Sequence, residues 1–179
     1  MKIPNTNQCQ ELLKKYKTPE RIINHILTVN KLALFLAKKI KQSGITINIE
    51  FVNASSLLHD IDKLMTLDKP ESHGEIAEQI LTKEGYPEIG KSINTHGIIN
   101  IKKIKTWEDK VLVYADFRAQ DNNIVSLSER FEYGRKRYPG TVTEEKVQLA
   151  YELEKQICNK ININPQILKI FNHKDTSIQ

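Results

Sequence analysis

Apolar residues recur along this chain at spacings of three and four between short polar breaks, the pattern of a protein built from amphipathic helices. Thr18-Pro19-Glu20 supplies a capping hydroxyl followed by proline at a first helical position. Ile22, Ile23, Ile26, Val29, Ala33, Leu36, Ala37 and Ile40 then keep helical spacing until Gly44, which predicts a long core helix carrying His25. A second helix is predicted over about 48–58, with Phe51, Val52, Ala54, Leu57 and Leu58 apolar, and it delivers His59-Asp60 where it ends. Ser72-His73-Gly74-Glu75 has the form of a capping box opening a helix through Ile76, Ala77, Ile80 and Leu81, which puts His73 in its first turn.

Gly85-Tyr86-Pro87 interrupts the pattern, and a short helix through Ile89 and Ile93 is predicted to stop at Thr95-His96-Gly97. Thr106 can cap a strongly apolar helix over 107–119, in which Val111, Leu112, Val113, Tyr114 and Ala115 run into Asp116. Ser126-Leu127-Ser128-Glu129 and Thr141-Val142-Thr143-Glu144 are two more capping boxes. They open helices containing Phe131 and Tyr138, then Val147, Leu149, Ala150, Leu153 and Ile157. Residues 45–49 alternate with strand period, but one such segment makes no sheet and reads as an extended connection. The expectation is an all-α helical bundle, one domain over residues 1–179, with a core of about 18–138 and C-terminal helices over about 143–171.

The 39% hydrophobic and 27% charged content of the 179 residues is that of an ordinary globular chain. No window approaches the roughly 18 apolar residues of a spanning helix, and the opening MKIPNTNQCQ has no apolar stretch of a secretory signal. A cytoplasmic protein with no membrane partner is therefore expected. Cys9 and Cys158 form no CxxC pair, so no structural disulfide is expected. The 27 basic and 22 acidic residues leave a net charge of +5, with lysines spread along the helices as an ordinary solvated surface. That charge also raises encounter rates with anions such as a phosphate-bearing substrate or a nucleic acid.

Four of the five histidines, His25, His59, His73 and His96, fall on successive predicted elements beside apolar runs. Each alone is as well explained by a hydrogen-bonded core residue or a helix-end cap; together they suggest metal ligation, with carboxylates as partners. Neighbouring helical side chains point about 100° apart, so His59 and Asp60 can reach one ion only where the helix loosens, which is where they lie. Asp116 follows a buried run and needs a cation or donors. Arg118, two residues on, faces away from it on a helix, so a metal is the better partner. His173, in a polar tail, has no role assigned.

The order His, then His-Asp, then a later Asp resembles the HD superfamily of metal-dependent phosphohydrolases. Leu57-Leu58-His59-Asp60-Ile61-Asp62-Lys63 is similar to its core motif and Val113-Tyr114-Ala115-Asp116 to its closing segment, so the likeness spans roughly residues 20–135. The resemblance implies that His25, His59, Asp60 and Asp116 hold one metal. In binuclear members Asp60 would bridge, and His73 and His96 would complete a second site. It implies one or two divalent transition ions (iron or manganese, alternatively nickel, cobalt or zinc) and hydrolysis of a phosphate ester or phosphoanhydride in a nucleotide-like substrate. Asp60, Lys63 and Asp62 are then the candidate catalytic residues. Lys63 and Arg118 are the favoured phosphate contacts because they lie closest in sequence to the ligands. Lys69 and Arg130 are further candidates, although a helix-surface ion pair is the more ordinary reading of Arg130.

Two features depart from the family pattern. Asp62 stands where glycine is frequent, which leaves it as an acid behind a ligand, a general base or a cap. Gly85-Tyr86-Pro87 is similar to the signature of the cyclic-dinucleotide-cleaving HD-GYP branch, but the paired histidines of that branch are missing before it. A reading from another class stays open: a non-catalytic nucleotide- or RNA-binding module with a structural metal. The aromatic–basic interleaving of single-strand platforms is not visible in its favour. Oligomeric state is not legible.

Overall fold

A computed structural model describes residues 1–96 and 104–172. The fold is all-α, with one small exception. Helices α1 (Thr6–Lys15), α2 (Glu20–Gln42), α3 (Ile49–Leu58), α4 (Glu75–Lys83), α5 (Pro87–Asn94) and α6 (Trp107–Arg118) lead to a two-residue antiparallel ribbon. The ribbon pairs β1 (Ala119–Gln120) with β2 (Asn123–Ile124). Helices α7 (Leu127–Arg137) and α8 (Glu144–Ile161) follow, and short 3-10 turns occupy Pro70–Ser72 and Pro165–Asn172. The sequence pattern contains neither the ribbon nor α1, which is short and is opened by a capping box between Asn5 and Gln8.

Apolar burial organises these elements into two clusters. Val29, Leu32, Leu36 and Ile40 of α2 pack with Leu112, Val113 and Tyr114 of α6 and with Val147, Leu153 and Ile157 of α8. Cys9 and Leu12 of α1, Leu57 and Leu58 of α3, Ala77 and Leu81 of α4, and Ile89 and Ile93 of α5 form the second, which Ile26 of α2 also enters. Truncating a fully buried leucine such as Leu36 to alanine would remove about 2–5 kcal/mol. Helix α6 is buried almost all round, from Val111 through Ala115 and on to Phe117 and Arg118, which explains why it reads as a plain apolar run.

Local chemistry sets the helix ends. Asn48 caps α3 by accepting from the Phe51 amide, Thr106 caps α6 through Asp109, and the Ser126–Glu129 box forms as expected. Three starts differ from the sequence reading. Helix α2 begins after Pro19, so Thr18 makes no side-chain cap. Helix α8 is capped by Thr143, whose hydroxyl accepts from Lys146, and not by Thr141. The 72–75 capping box does not form: Gly74, at φ 89°, is the residue preceding α4, and no neighbouring side chain caps it. The carboxylate of Asp62 does so from the preceding segment, accepting from the Gly74 amide at 2.8 Å and the Ala77 amide at 3.1 Å. Gly97 and His173 lie outside the described residues.

Candidate metal centre

Five elements converge on one cluster of imidazoles and carboxylates. His25 comes from the first half of α2, His59 and Asp60 from the residues that follow α3, and His73 from the turn before α4. His96 comes from just past α5 and Asp116 from the last turn of α6. Helix α3 ends at Leu58, and His59 and Asp60 occupy the turn after it, where the backbone lets both reach inward. The imidazole rings form a chain: His25 to His59 at 5.4 Å between centroids, His59 to His96 at 5.5 Å and His96 to His73 at 4.9 Å.

Asp60 stands between two groups. Its Oδ2 lies 3.8 Å from Nε2 of both His25 and His59, while its Oδ1 lies 3.1 Å from Nε2 of His73. Asp116 Oδ1 closes the first group, 3.1 Å from His25 Nε2 and 3.8 Å from His59 Nε2. Donor atoms of His25, His59 and Asp60, and separately of Asp60, His73 and His96, lie within 4.8 Å of one another. Each set could hold one cation, with one oxygen of Asp60 offered to each.

Hydrogen bonding fixes which ring nitrogen can act as a ligand. His59 Nδ1 faces the Ser56 carbonyl at 2.9 Å, and a carbonyl only accepts, so the proton is on Nδ1 and Nε2 has a free lone pair. His96 Nδ1 donates to the Ile93 carbonyl in the same way. His73 Nδ1 donates to Asp62 Oδ1 at 2.7 Å. A carboxylate or carbonyl behind a ligating imidazole is the usual device for orienting it toward a metal. The Ser56 and Ile93 carbonyls are not named by any motif, but their three-residue spacing from each histidine is a helical-turn relation that sequence can suggest.

Burial and charge point the same way. Nε2 of His59 is buried without a hydrogen-bond partner, which is costly for an atom so placed unless a ligand completes it. Burial keeps the His59 imidazole neutral. It also pushes His96 down to about 4, with His73 and His59 adding repulsion. Burial opposes the charge on Asp60, yet His59, His73 and Lys63 hold its carboxyl well below the usual range. Asp116 is likewise held low against its burial, chiefly by His25 and His59. His73 is the opposite case: burial works against its protonation, but Asp60 and Asp62 lift it to about 9. With no metal bound, an imidazolium thus supplies part of the positive charge that the acids require. The donor set of neutral imidazole and ionised carboxylate fits a divalent transition ion.

The open side of the cluster is defined by exposure. His59 is wholly buried and Asp60 6% exposed, whereas His25, His73 and Asp116 are 17–18% exposed and Lys63 42%. A substrate would enter over that second set. Lys63 Nζ lies 3.4 Å from Asp60 Oδ1 and 3.3 Å from His73 Nε2, beside the ligands. Asp62 is fully buried and committed to His73, Gly74 and Ala77, so it is a cap and an orienting acid and has no path to serve as a general base. Arg118 corrects the sequence expectation. It is 1% exposed and donates to the Tyr114 hydroxyl, the Glu154 carboxylate and the carbonyls of Val125 and Pro165. This arginine ties α6, α8 and the C-terminal turn together and is not a phosphate contact. Lys69 is exposed on the loop before α4.

The family model for the HD domain matches residues 22–130. An uncharacterized protein of Methanocaldococcus jannaschii is 30% identical over 131 residues, 63% of this chain and 76% of that one. A tRNA (cytidine(56)-2'-O)-methyltransferase of Thermoplasma volcanium is 36% identical over 83 residues, 46% of this chain. The chain covers 22% of that methyltransferase's length. A crystal structure described as a predicted HD superfamily hydrolase, from an uncultured Thermotogales bacterium, aligns over 95% of both chains with a TM-score of 0.49 and 20% identity.

Proposed function

The chain belongs to the HD-domain family, and from that premise we propose that it is a metal-dependent phosphohydrolase acting on a phosphate ester or phosphoanhydride of a nucleotide-like substrate. The observation that carries the reading is the unpartnered His59 Nε2 at the centre of the cluster, beside the Asp60 carboxylate and surrounded by three more imidazoles and a second acid. His25, His59, Asp60 and Asp116 would hold one divalent ion. Asp60, His73 and His96 would hold a second, with the Asp60 carboxylate shared. Iron and manganese suit this mixed donor set, and nickel, cobalt and zinc are also compatible with it. Such an ion makes water a competent nucleophile near neutral pH and stabilises charge on a phosphoryl group.

The chain's own groups have separate tasks. His59 and His96 keep their Nε2 lone pairs directed inward because their Nδ1 protons are committed to backbone carbonyls. Asp62 does the same for His73. Lys63, the most exposed of the charged groups beside Asp60, is placed to meet a phosphate oxygen. Metal analysis of protein purified without chelator, then a panel of nucleotides and generic phosphate esters with added manganese, tests the reading. Phosphate release that disappears in His59→Ala and Asp60→Ala, with helical content retained, is expected. Equal turnover by either variant removes the mechanism.

The other reading is a non-catalytic RNA- or nucleotide-binding domain with a structural metal. Its support is the net charge of +5 and the similarity to a segment of a protein named as a tRNA methyltransferase. Against it, the buried ligand set opens to solvent on one edge, where a purely structural site would be closed. Salt-sensitive RNA binding with no phosphate release from any ester would favour it.

A further inference from the structure

Helices α2 and α3 bring His25 and His59 together, and close to that point the two helices are joined by polar contacts. Ile26 and Val29 of α2 and Val52, Leu57 and Leu58 of α3 are buried. Apolar burial is non-directional, so it draws the helices together without setting their rotation or register. Hydrogen bonds set both. Asn30 of α2 donates through Nδ2 to Ser56 Oγ at 2.8 Å and to Asn53 Oδ1 at 3.0 Å, both on α3. Asn53 in turn donates from its own Nδ2 to Thr6 Oγ1 of α1 at 3.1 Å.

The chemistry of Ser56 gives these contacts one direction. Its hydroxyl is fully buried and has a single proton, which goes to the Val52 carbonyl at 2.6 Å, so toward Asn30 it can only accept. Asn53 Oδ1 also only accepts, and the two protons of the Asn30 amide match the two acceptors. Ser56 supplies as well the carbonyl that accepts from His59 Nδ1 at 2.9 Å and keeps Nε2 turned inward. Asn30 thus holds by its side chain the residue whose main chain holds a ligand. The clasp lies five positions along α2 from His25 and three along the chain of α3 from His59. Those separations are about 7.5 Å and about 4.5 Å of helical rise, roughly one turn from the two rings, whose centroids are 5.4 Å apart.

We propose that Asn30 is a positioning residue for the metal centre: by donating to Ser56 Oγ and Asn53 Oδ1 it sets the end of α3 against α2, and so holds His59 Nε2 toward the ion that His25 would also reach. This rests on the metal-dependent reading and adds to it the residue that keeps two ligands from different helices in register. Asn30 acts through Ser56 and supplies no donor atom to the ion. The alternative is a clasp that only stabilises the helix pair, and the two differ in whether metal affinity falls when the clasp is removed.

The probes are manganese and cobalt(II) with the full-length protein. Manganese affinity is measured by titration against an indicator and ligand geometry by the visible absorption of the cobalt(II)-loaded protein, beside the urea midpoint of the metal-free protein. Asn30→Ala, and Asn30→Leu, which removes the donor but keeps most of the volume, are expected to weaken manganese binding about 10-fold, the lower end of the range for loss of an orienting partner. Both should also move the cobalt(II) absorption, which depends on coordination geometry. Ser56→Ala should do the same, and the Asn30→Ala, Ser56→Ala pair should lose no more than the larger single loss, because both changes remove one contact. Ile40→Val, buried near the far end of α2, marks a purely structural effect: it should lower the urea midpoint and leave affinity and absorption alone. Manganese affinity within about twofold of wild type together with an unmoved cobalt(II) absorption in the Asn30 variants overturns the inference, whatever their stability, as does a double variant whose losses simply add. If alanine at position 30 unfolds the chain, Asn30→Leu is judged alone by the same comparison. Wild-type protein that binds neither ion refutes the metal-dependent reading, whereas wild-type binding that is indifferent to residue 30 refutes this inference alone.

Discussion

Replacing Asp62 tests how the cluster is held. Its carboxylate, fully buried, accepts from His73 Nδ1 at 2.7 Å, from the Gly74 amide at 2.8 Å and from the Ala77 amide at 3.1 Å. Burial disfavours its charge, but these donors hold the carboxyl below its ordinary range. Hydrogen bonds to a charged group contribute about 1.5–3 kcal/mol each and do not add fully, and breaking a buried pair costs about 3–5 kcal/mol. Asp62→Ala is therefore expected to lower the stability of the metal-free protein by about 3–5 kcal/mol. Asp62→Asn is the sharper probe because it keeps the shape. If its amide oxygen faces Gly74 and Ala77, its NH2 group faces His73 Nδ1, the ring must accept there, and the proton moves to Nε2. The atom turned toward Asp60 then has no lone pair for an ion. If the amide is reversed, an NH2 group meets two backbone N–H donors and α4 loses its cap. Either way manganese binding at the His73–His96 position should weaken about 10- to 100-fold, the range for loss of an orienting partner. Urea unfolding of chelator-treated protein and titration with manganese against an indicator measure the two effects. Asparagine and alanine variants that unfold within about 1 kcal/mol of wild type and bind manganese within about twofold would refute the reasoning.

Arg118→Ala should unfold at much lower denaturant, about 3–5 kcal/mol less stable, because it leaves the largely buried Glu154 carboxylate without its cation, with only the Tyr114 hydroxyl still donating to it. Phosphate inhibition of whatever variant remains folded should be unchanged, and a selective loss of phosphate binding would return Arg118 to the site. Glu129 is held down to about 2 by Lys169 and by the Ser126 hydroxyl and amide, against an ordinary 4.5. A depressed carboxyl contributes stability above the unfolded value, and that contribution is lost as pH falls from about 4.5 toward 2. Unfolding of wild type and Glu129→Gln across that range should therefore converge at the acid end; a constant difference would exclude the linkage. Burial pushes the Cys9 thiol up to about 12 and also raises Cys158, so a thiol reagent near neutral pH should label neither until the protein unfolds. Rapid labelling of the native protein would show that one of these packing regions opens.

Local patterns carry far in this protein because helices are local objects. The 3.6-residue rhythm of Ile26, Val29, Ala33, Leu36 and Ile40 specifies both the length of α2 and the face it buries, and Asn48, Thr106 and Ser126 mark helix starts through contacts three residues away. The likeness to the HD family was legible for the same reason, since His59-Asp60 and the run into Asp116 are short contiguous words. Where the reading failed, the deciding partner lay far along the chain. Asp62, 12 residues before Gly74, displaced the Ser72 capping box, because a buried carboxylate satisfies the α4 amides better than an adjacent hydroxyl. Arg118, two residues from Asp116, turned away to Glu154, 36 positions distant, and Arg130, which reads as a surface ion pair, was left with its Nε unpartnered. Charge neutralisation acts through space and depends on which helices pack together. No window of sequence contains that information until the bundle closes.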